Sequence, residues 1–214
     1  SKKAAYYSPY FDVVYNSLAN YKNTAKAAHQ NHPVKYVIIT HPMFEDALAD
    51  FVAWKEEKGF YVTVASTDDI GTTTSAIDTY IEGLYNNATE EDPAPTFLLF
   101  CGDREQVPAF AGSHPAKEGK GAPDVTDLYY GAIGTTDLLP EMYYGRFSAS
   151  NLDDFNAQVE KTLWYEKEQF ETDSDLSYLG KVVLAAGMDG SWGPTAGNGQ
   201  INYGSELYFN AAHN

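Results

Sequence analysis

Three short apolar runs, separated by segments with helical spacing, constrain the fold of this chain more than any other feature of its sequence. They are Tyr36–Thr40, Phe60–Ala65 and Thr96–Cys101. Runs of this length that are rich in Val, Ile and Phe favour strands buried on both faces of a sheet. Strands that alternate with helices at short spacing predict a parallel sheet with right-handed crossover connections, and therefore an α/β fold.

The segments between these runs are predicted to be amphipathic helices. Apolar residues recur at helical spacing in both, and they are Phe44, Ala47, Leu48, Phe51 and Trp54 in the first and Ile77, Tyr80, Ile81 and Leu84 in the second. Gly59 is suited to end the first helix, and the Thr72–Ser75 region is suited to begin the second. Farther along, Leu128–Ile133 and Met142–Phe147 are predicted strands. Ser150 is expected to cap a further helix, whose apolar face comprises Phe155, Val159 and Leu163.

The chain is expected to fall into three parts. Residues 1–33 show no sustained apolar period and are interpreted as an arm or connector. Residues 34–177 form the predicted α/β subdomain. Residues 178–214 begin a second one, with a strand at Lys181–Ala186, a glycine-rich loop and a helix at Ile201–Ala212. One strand with one helix leaves a face of the strand uncovered, so this second subdomain is predicted to be truncated.

Charge and hydropathy argue against several classes of function. The sequence holds 14 basic and 30 acidic residues, for a net charge of -16. Such a surface repels phosphate backbones and anionic lipid headgroups, so binding to nucleic acid or to a membrane surface is not expected. No apolar run approaches the ~20 residues of a membrane-spanning helix, so no membrane insertion is expected either. The first residues lack the apolar segment of a signal peptide, and any targeting segment is expected upstream.

Candidate chemistry lies where predicted strands end, because open parallel sheets bind ligands at the carboxyl ends of their strands. Asp103 follows Thr96–Cys101, and Asp189 follows the strand of the second subdomain. The sequence has no glycine-rich phosphate-binding motif, which argues against a nucleotide enzyme. Cys101, the one cysteine, ends an apolar strand and is interpreted as a core residue rather than a nucleophile. The five histidines lack the spacing of metal ligands.

A calcium site is a further hypothesis, in the segment Asp137–Glu141. In an extended segment, alternate residues point the same way, so the carboxylates of Asp137 and Glu141 would converge with the carbonyl of Leu139 alongside. Hard oxygen ligands of this kind suit Ca²⁺. By spacing alone, a solvated acidic turn is the favoured explanation of this segment, because acidic loops are common in so acidic a chain.

A set of short motifs lies between about Val34 and the C-terminus. They are Phe51-x-x-Trp54-Lys55-x-x-Lys58-Gly59-Phe60, Gly102-Asp103, Val125–Tyr130, Pro140–Tyr143, Arg146–Ser150, Tyr165–Lys167 and Ala186–Trp192. In this order and spacing they resemble the gingipains, which are secreted bacterial cysteine endopeptidases with a caspase-like fold. The resemblance is stronger to the Lys-specific branch than to the Arg-specific one.

The resemblance implies a caspase-like α/β/α subdomain and the start of a second, catalytic one. It implies that the nucleophilic Cys and the base His lie farther along than this sequence extends. Asp189 matches the third catalytic member, whose carboxylate orients the imidazole of the base. Trp192 matches an aromatic residue that lines the substrate cleft. By its position alone, Asp189 is a loop residue that caps the turn at Gly190, and the resemblance favours the catalytic role.

The resemblance also implies Ca²⁺ as a cofactor. Asp137, the carbonyl of Leu139 and Glu141 match one calcium loop of the family, and Asp103 with Glu141 matches half of a second site. The segment Ile133–Thr136 is about one residue longer than the family loop and lacks its second aspartate. The upstream ligand of the first site is therefore left open.

These observations lead to one functional hypothesis and one alternative. The chain is interpreted as part of a bacterial cysteine endopeptidase, secreted or at the cell surface, that cleaves protein or peptide substrates after a basic residue, with Lys favoured. It is expected to act as a monomer together with the downstream remainder of the catalytic domain, and to be inactive alone. The alternative is a non-catalytic α/β binding or scaffold module that has a caspase-like fold and no Cys/His pair.

Overall fold

The computed structural model describes residues 34–89, 91–112, 125–134, 139–169, 176–185 and 193–213. The chain divides into two compact units between Lys167 and Glu168. The predicted connector, residues 1–33, lies outside the described residues. The predicted subdomain boundary after residue 177 stays a prediction.

The first unit is built on a parallel sheet. Its strands are β1 (Val34–Thr40), β2 (Phe60–Ser66), β3 (Pro95–Cys101) and β6 (Tyr143–Phe147), and they lie in the order β2-β1-β3-β6. All three strand pairs are parallel. Two short strands, β4 (Phe110–Ala111) and β5 (Val125–Thr126), form a separate antiparallel pair that the sequence does not predict. The predicted parallel α/β architecture is confirmed.

Helices connect the strands. They are α1 (Ala49–Glu57), α2 (Thr67–Ile70), α3 (Thr74–Asn86), α4 (Leu128–Gly131) and α5 (Leu152–Glu166). Two 3₁₀ turns, Pro42–Phe44 and Asp46–Leu48, precede α1 and occupy the first part of the predicted first helix. The predicted helices between the apolar runs are therefore present, the first of them shortened at its start.

Local sequence explains where these helices begin and end. Thr73 caps α3, since its hydroxyl oxygen accepts the N–H of Ala76 at 3.2 Å. Asn151 caps α5 in place of the predicted Ser150, because its side-chain oxygen accepts the N–H of Asp154 at 3.0 Å. Gly59, with φ at 89°, follows α1 in the left-handed conformation that ends many helices.

The sheet separates two apolar clusters. On one face, α3 and α4 cover the sheet, and the buried residues include Val37, Ile39, Ile77, Ile81, Phe100, Val107 and Tyr130. On the other face, α1 and α5 cover it, and the buried residues include Ile38, Phe44, Phe51, Leu99, Cys101 and Phe155. Burial on both faces explains why β1 and β3 read as continuous apolar runs in the sequence.

The predicted strand Leu128–Ile133 is wrong, because helix α4 occupies its first residues. Two adjacent tyrosines suit either a strand or a helix, and tertiary contacts decide between them. The ring of Tyr130 packs 4.8 Å from that of Phe100 and 4.7 Å from that of Phe110. Its hydroxyl donates to the carbonyl of Pro108 at 2.7 Å. These contacts hold Tyr130 fully buried on the α3 face.

The second unit contains the 3₁₀ turn Ser177–Gly180 and helix α6 (Gly193–Leu207). The predicted strand Lys181–Ala186 is not formed in its described residues 181–185, and Val183 is 91% exposed. A strand requires a hydrogen-bonded neighbour, and none of the described residues pairs with this segment. The helix predicted at Ile201–Ala212 begins and ends earlier, at the bounds of α6. Among the described residues, no helix is long and apolar enough to cross a membrane.

Candidate functional site

The carboxyl ends of β1 and β3 form the switch point of the sheet. After β1 the chain passes to one face, where Phe44 packs, and after β3 it passes to the other, where Val107 packs. Adjacent parallel strands that diverge in this way leave a crevice in which open α/β sheets bind ligands. His41 and Asp103 are the titratable residues that directly follow these two strands. This edge is therefore the candidate site within the first unit.

Asp103 lies exposed at this edge, on the loop of residues 102–107, and hydrogen bonds fix its position. Its N–H donates to the carbonyl of Ala149 at 2.9 Å, and its own carbonyl accepts N–H groups from the end of the same loop. Its Oδ1 accepts the N–H of Arg104 at 2.8 Å and the hydroxyl of Ser148 at 3.3 Å. The carboxylate thus has a defined orientation although it faces solvent.

Gly102 makes the sharp exit from β3 possible. Its φ of 133° is one that residues with a side chain rarely adopt. A Cβ at this position would lie 2.6 Å from the Cβ of Gln106, so the loop could not close over it. In the Gly102-Asp103 motif, the glycine therefore allows the sharp turn, and the aspartate supplies an exposed carboxylate at the edge of the sheet.

Arg146 on β6 holds this loop from the α3 face. Its Nη1 donates to the carbonyl oxygens of Gly102 and Val107, both at 2.8 Å. Its Nε and Nη2 donate to the two carboxylate oxygens of Asp127, at 2.9 and 2.7 Å. The guanidinium lies 5.2 Å from the centre of the Phe100 ring. The two charged side chains are only 14% and 15% exposed, so this forked ion pair is largely shielded from water.

Cys101 is a core residue, as predicted. It is fully buried at the end of β3, and it belongs to the apolar cluster beneath α1 and α5. Burial raises the pKa of its thiol far above the ordinary range, and the nearby Arg146 charge offsets this only in part. A nucleophilic cysteine needs an accessible thiolate, which this position does not supply.

Glu141 lies just before β6 and closes the loop that leads to it. Its N–H donates to the carbonyl of Gly131 at 2.8 Å, and its Oε2 accepts the N–H of Ile133 at 2.7 Å. Leu139 is 72% exposed, two residues earlier. Asp137, the remaining member of the predicted calcium loop, lies outside the described residues.

Asp103 and Glu141 lie toward opposite ends of β6. Asp103 is level with Ala149, beyond the carboxyl end of the strand, whereas Glu141 precedes its first residue, Tyr143. The strand alone separates them by ~13 Å, at about 3.3 Å per residue. The expectation that Asp103 and Glu141 form half of one cation site stays a prediction, and any cation at Asp103 needs further ligands from elsewhere.

The donor chemistry of each carboxylate, taken separately, fits a hard cation. In both, one oxygen accepts at least one hydrogen bond that fixes the group, as is usual for carboxylates that bind metal ions. Within the described residues, neither Asp103 nor Glu141 forms an ion pair with Lys or Arg. The described part of the chain contains no group of three or more His, Cys, Asp or Glu residues that could hold a metal ion.

Asp189 and Trp192, the predicted catalytic and substrate-binding residues, lie outside the described residues. Their assignments stay predictions. The described parts of the same unit, which include the helix α6 that follows them, carry largely exposed aromatic side chains, such as Tyr203 at 61%.

Another ion pair, which the sequence does not predict, lies at the other end of the sheet. Lys55 on α1 donates to both carboxylate oxygens of Glu166 on α5, at 2.7 and 2.9 Å. Trp54 Nε1 donates to the same carboxylate at 2.9 Å. The Lys55 ammonium lies 5.3 Å from the ring centre of Tyr36 and 4.9 Å from that of Phe51. The motifs around Trp54-Lys55 and Tyr165–Lys167 contained the only sequence signal for this contact.

Comparisons with known proteins agree with this architecture. The family model described as peptidase family C25 matches residues 29–212. Lys-gingipain W83 of Porphyromonas gingivalis is 38% identical over 212 residues, which cover 98% of this chain and 12% of that protein. A solved structure described as a protease superposes with a TM-score of 0.69 at 37% identity, covering 86% of this chain and 38% of that one. The Arg-specific cysteine proteinase gingipain R superposes with a TM-score of 0.52 at 26% identity, covering 64% of this chain and 29% of that one.

A parallel sheet with helices on both faces, matched along its length by peptidases, defines the class as a caspase-like α/β peptidase fold. The chain belongs to peptidase family C25. Within that family it is more similar to Lys-gingipain than to the Arg-specific gingipains. It spans 12% of the length of the Lys-gingipain it matches, and 38% of the matched protease structure.

Proposed function

We propose that the full-length protein containing this chain is a cysteine endopeptidase that cleaves after a basic residue, with Lys favoured. The observation that carries the proposal is the match to Lys-gingipain at 38% identity over 98% of the chain, against 28% for gingipain R2. The preference for Lys follows that difference in identity. The substrates are proteins or peptides, which the acidic chain, with its net charge of -16, would attract when they are basic.

The nucleophile and the base come from residues outside this chain. Its one cysteine, Cys101, is buried with a raised thiol pKa, and no other residue here can supply a thiolate. The 214-residue chain alone is therefore inactive, and it contributes the first subdomain together with part of the second.

Asp189 orients the base. A carboxylate that accepts a hydrogen bond from imidazole holds the ring in the productive tautomer and stabilises the imidazolium that forms when the nucleophile loses its proton. Trp192 lines the substrate cleft and contributes contact area. A change at Asp189 therefore acts on kcat, and a change at Trp192 acts on KM.

Ca²⁺ binds at two separate places in this proposal. Asp137, the carbonyl of Leu139 and Glu141 hold one ion in the loop before β6. Asp103 contributes to a different ion at the carboxyl edge, with ligands from the rest of the protein. The role of both ions is structural, since a ligand that binds only the folded state stabilises it.

The enzyme acts as a monomer, secreted or at the bacterial cell surface. This placement rests on the similarity to gingipains of Porphyromonas gingivalis.

The test is steady-state hydrolysis of Lys-linked and Arg-linked fluorogenic peptides by the full-length protein. We expect faster turnover of the Lys substrate than of the Arg substrate. Asp189→Asn should lower kcat by about 10- to 10³-fold with little change in KM. Trp192→Ala should raise KM with little change in kcat. Cys101→Ala is the matched control and should keep its kcat. The isolated 214-residue chain should release no fluorophore.

Three outcomes would contradict the proposal. Turnover abolished by Cys101→Ala would make that residue the nucleophile. A kcat for Asp189→Asn within about twofold of wild type, less than 0.5 kcal/mol in activation free energy, would make Asp189 a loop cap. A full-length protein that hydrolyses neither substrate would favour the non-catalytic scaffold module.

A further inference from the structure

We infer that four side chains protect the peptide bond between Lys167 and Glu168 from cleavage after Lys, which is the activity proposed for the full-length protein. These side chains are called the latch, and they are Trp54 and Lys55 on α1 with Glu166 and Lys167 where α5 ends. The inference rests on the proposed function, because a peptidase that cleaves after Lys also meets the lysines of its own copies. In that cleavage water adds across the bond, so the carbonyl carbon of Lys167 gains a hydroxyl group and the nitrogen of Glu168 gains a hydrogen.

The bond lies where the chain divides into its two compact units. Helix α5 ends at Glu166, and both Lys167 and Glu168 are exposed. Glu168 has a φ of 52°, the left-handed conformation that ends many helices, so no helix continues across the bond. Exposed connections between compact units are preferred sites of proteolytic cleavage in folded proteins. A lysine at this position is therefore vulnerable to a Lys-directed peptidase unless other contacts protect it.

The other described lysines of the first unit are protected by their position in the fold. Lys35 and Lys55 are buried, and Lys161 lies within α5. Lys58 is exposed, but one residue later the chain enters β2, which pairs with β1 over its full length. Cleavage after any of these four residues requires a strand or the interior of a helix to open. Lys167 has no such protection from its position, so its side-chain contacts decide its fate.

The first protection acts on the side chain of Lys167, which a peptidase that cleaves after Lys must take into its specificity pocket. The ammonium of Lys167 lies 5.1 Å from the centre of the Trp54 ring, within the range of a cation–π contact. The indole is itself fixed, because its Nε1 donates to Glu166 Oε2 at 2.9 Å. The Lys167 side chain is therefore held against a ring, and it must leave that ring before a pocket can bind it.

The second protection acts on the backbone, because a protease cleaves the locally opened chain rather than the folded helix. The N–H of Lys167 donates to the carbonyl of Leu163 at 2.9 Å, so the last turn of α5 reaches the bond. Glu166 in that turn accepts two bonds from the Lys55 ammonium, at 2.7 and 2.9 Å. The Lys55 side chain is only 8% exposed. Unwinding the turn therefore breaks an ion pair that is largely shielded from water, which keeps the population of the opened turn low.

The experiment measures how fast this one bond is cut in the full-length protein and in variants of the latch. The protein is first treated with iodoacetamide, which alkylates accessible thiolates and stops its own activity, and is then incubated with an added endopeptidase that cuts after Lys. Mass spectrometry follows the fragments that begin at Glu168. We expect Lys55→Met and Glu166→Gln each to raise the initial rate by about 5- to 30-fold, because that rate follows the population of the opened turn. Trp54→Leu should raise it too, since Lys167 then loses the ring.

Arg146→Lys is the matched control, because it disturbs the other shielded ion pair of this unit, on the opposite face of the sheet, and touches no part of the latch. Urea unfolding measures the stability of every variant. Arg146→Lys should be less stable than wild type and yet leave the rate at Glu168 unchanged, since opening the last turn of α5 does not break its pair. The bond after Lys35 lies in β1 and opens only on global unfolding, so its cleavage should rise with the loss of stability in every variant.

Two patterns with the added endopeptidase overturn the inference. If the rates at Glu168 in both Lys55→Met and Glu166→Gln stay within twofold of wild type, the latch protects nothing. If Arg146→Lys raises the rate at Glu168 in proportion to its loss of stability, the bond is cut only through global unfolding and the latch has no local role.

A second measurement leaves the thiols untreated. The wild type should keep the bond intact, whereas Lys55→Met and Glu166→Gln should cut themselves after Lys167, at a rate that rises with protein concentration because one copy cleaves another. If these variants hydrolyse a short Lys peptide but leave their own bond intact, the latch does not act against this enzyme and the inference fails. If they hydrolyse no Lys peptide, the proposed function has failed and the latch has no such activity to resist, a result that the short peptide alone reveals.

Discussion

Two of the ion pairs in the first unit are built alike but contact different parts of the fold. Lys55 with Glu166 and Arg146 with Asp127 each place a cation against aromatic rings and a carboxylate, largely out of water. The Lys55 pair lies toward the amino ends of the strands, on the face covered by α1 and α5. The Arg146 pair lies toward the carboxyl ends, on the face covered by α3 and α4.

The two cations, Lys55 and Arg146, differ in what they hydrogen-bond to, and this difference gives the two pairs different roles. The described hydrogen bonds of Lys55 go to one side chain, Glu166, and they join two helices. Those of Arg146 include two backbone carbonyls, and they fix a loop at the edge where ligands bind. An amino-end pair of this kind secures packing, whereas the carboxyl-end pair also determines the shape of a candidate site.

The largest expected effect comes from Arg146→Ala. The substitution leaves a mostly buried Asp127 carboxylate and two loop carbonyls without their donor, and breaking a buried pair in this way costs about 3–5 kcal/mol. Urea unfolding of the full-length protein should show this loss in the free energy of unfolding. A loss below about 1 kcal/mol, typical of exposed pairs, would show that water already reaches the pair.

Lys55→Met should cost less, about 1–2 kcal/mol, in the same measurement. Glu166 is 22% exposed, and it keeps its bond from Trp54 at 2.9 Å and the ammonium of Lys58 at 3.5 Å. Methionine also fills the space between the Tyr36 and Phe51 rings with apolar contact. A loss as large as that of Arg146→Ala would remove the difference between the two pairs.

Much of the fold could be predicted because its two central strands, β1 and β3, are buried on both faces and are therefore nearly continuous apolar runs. Helical spacing marks α3 directly. Helix α4 could not be predicted in this way, because Tyr129 and Tyr130 suit a strand as well as a helix. Contacts of Tyr130 with Phe100 and Phe110, which the sequence does not show, favour the helix. The strand expected at Lys181–Ala186 is not formed in its described residues. An apolar composition alone does not produce a strand, because a strand also needs a neighbouring strand to pair with.

The candidate site could be predicted less well. Asp103 was found because a polar residue after an apolar strand marks a carboxyl edge. The separation of Asp103 from Glu141 could not be found, since it depends on the pairing of β3 with β6. The contact of Arg146 with the loop could not be predicted either. Its partners are distant in sequence, and two of them are backbone carbonyls, which every residue type has.

The smallest expected effect is a pH dependence on the α3 face. Burial, with the neighbouring Glu82 charge, raises the pKa of Asp78 from 3.8 to about 6. In Glu166, burial also acts to raise the pKa, but the bonds from Lys55 and Trp54 outweigh it and lower the pKa. The folded state therefore holds the Asp78 proton more tightly than the unfolded state. The stability from this group is complete below its ordinary pKa and is lost as the pH rises through about 6. Glu166 acts in the opposite direction, losing its contribution as the pH falls.

Asp78→Asn should therefore flatten the change of Tm between pH 4 and pH 7 that wild type shows, measured by differential scanning calorimetry of the full-length protein. The amide resembles the protonated carboxyl and does not ionise in this range, so the variant should gain relative to wild type as the pH rises. Glu82→Gln removes only the second cause of the raised pKa, and it should give an intermediate slope. Identical pH profiles for wild type and Asp78→Asn would mean that Asp78 is solvated like a surface carboxylate. The α3 face would then have no destabilising carboxylate to contrast with Glu166 and Asp127, whose charges are each balanced by a cation.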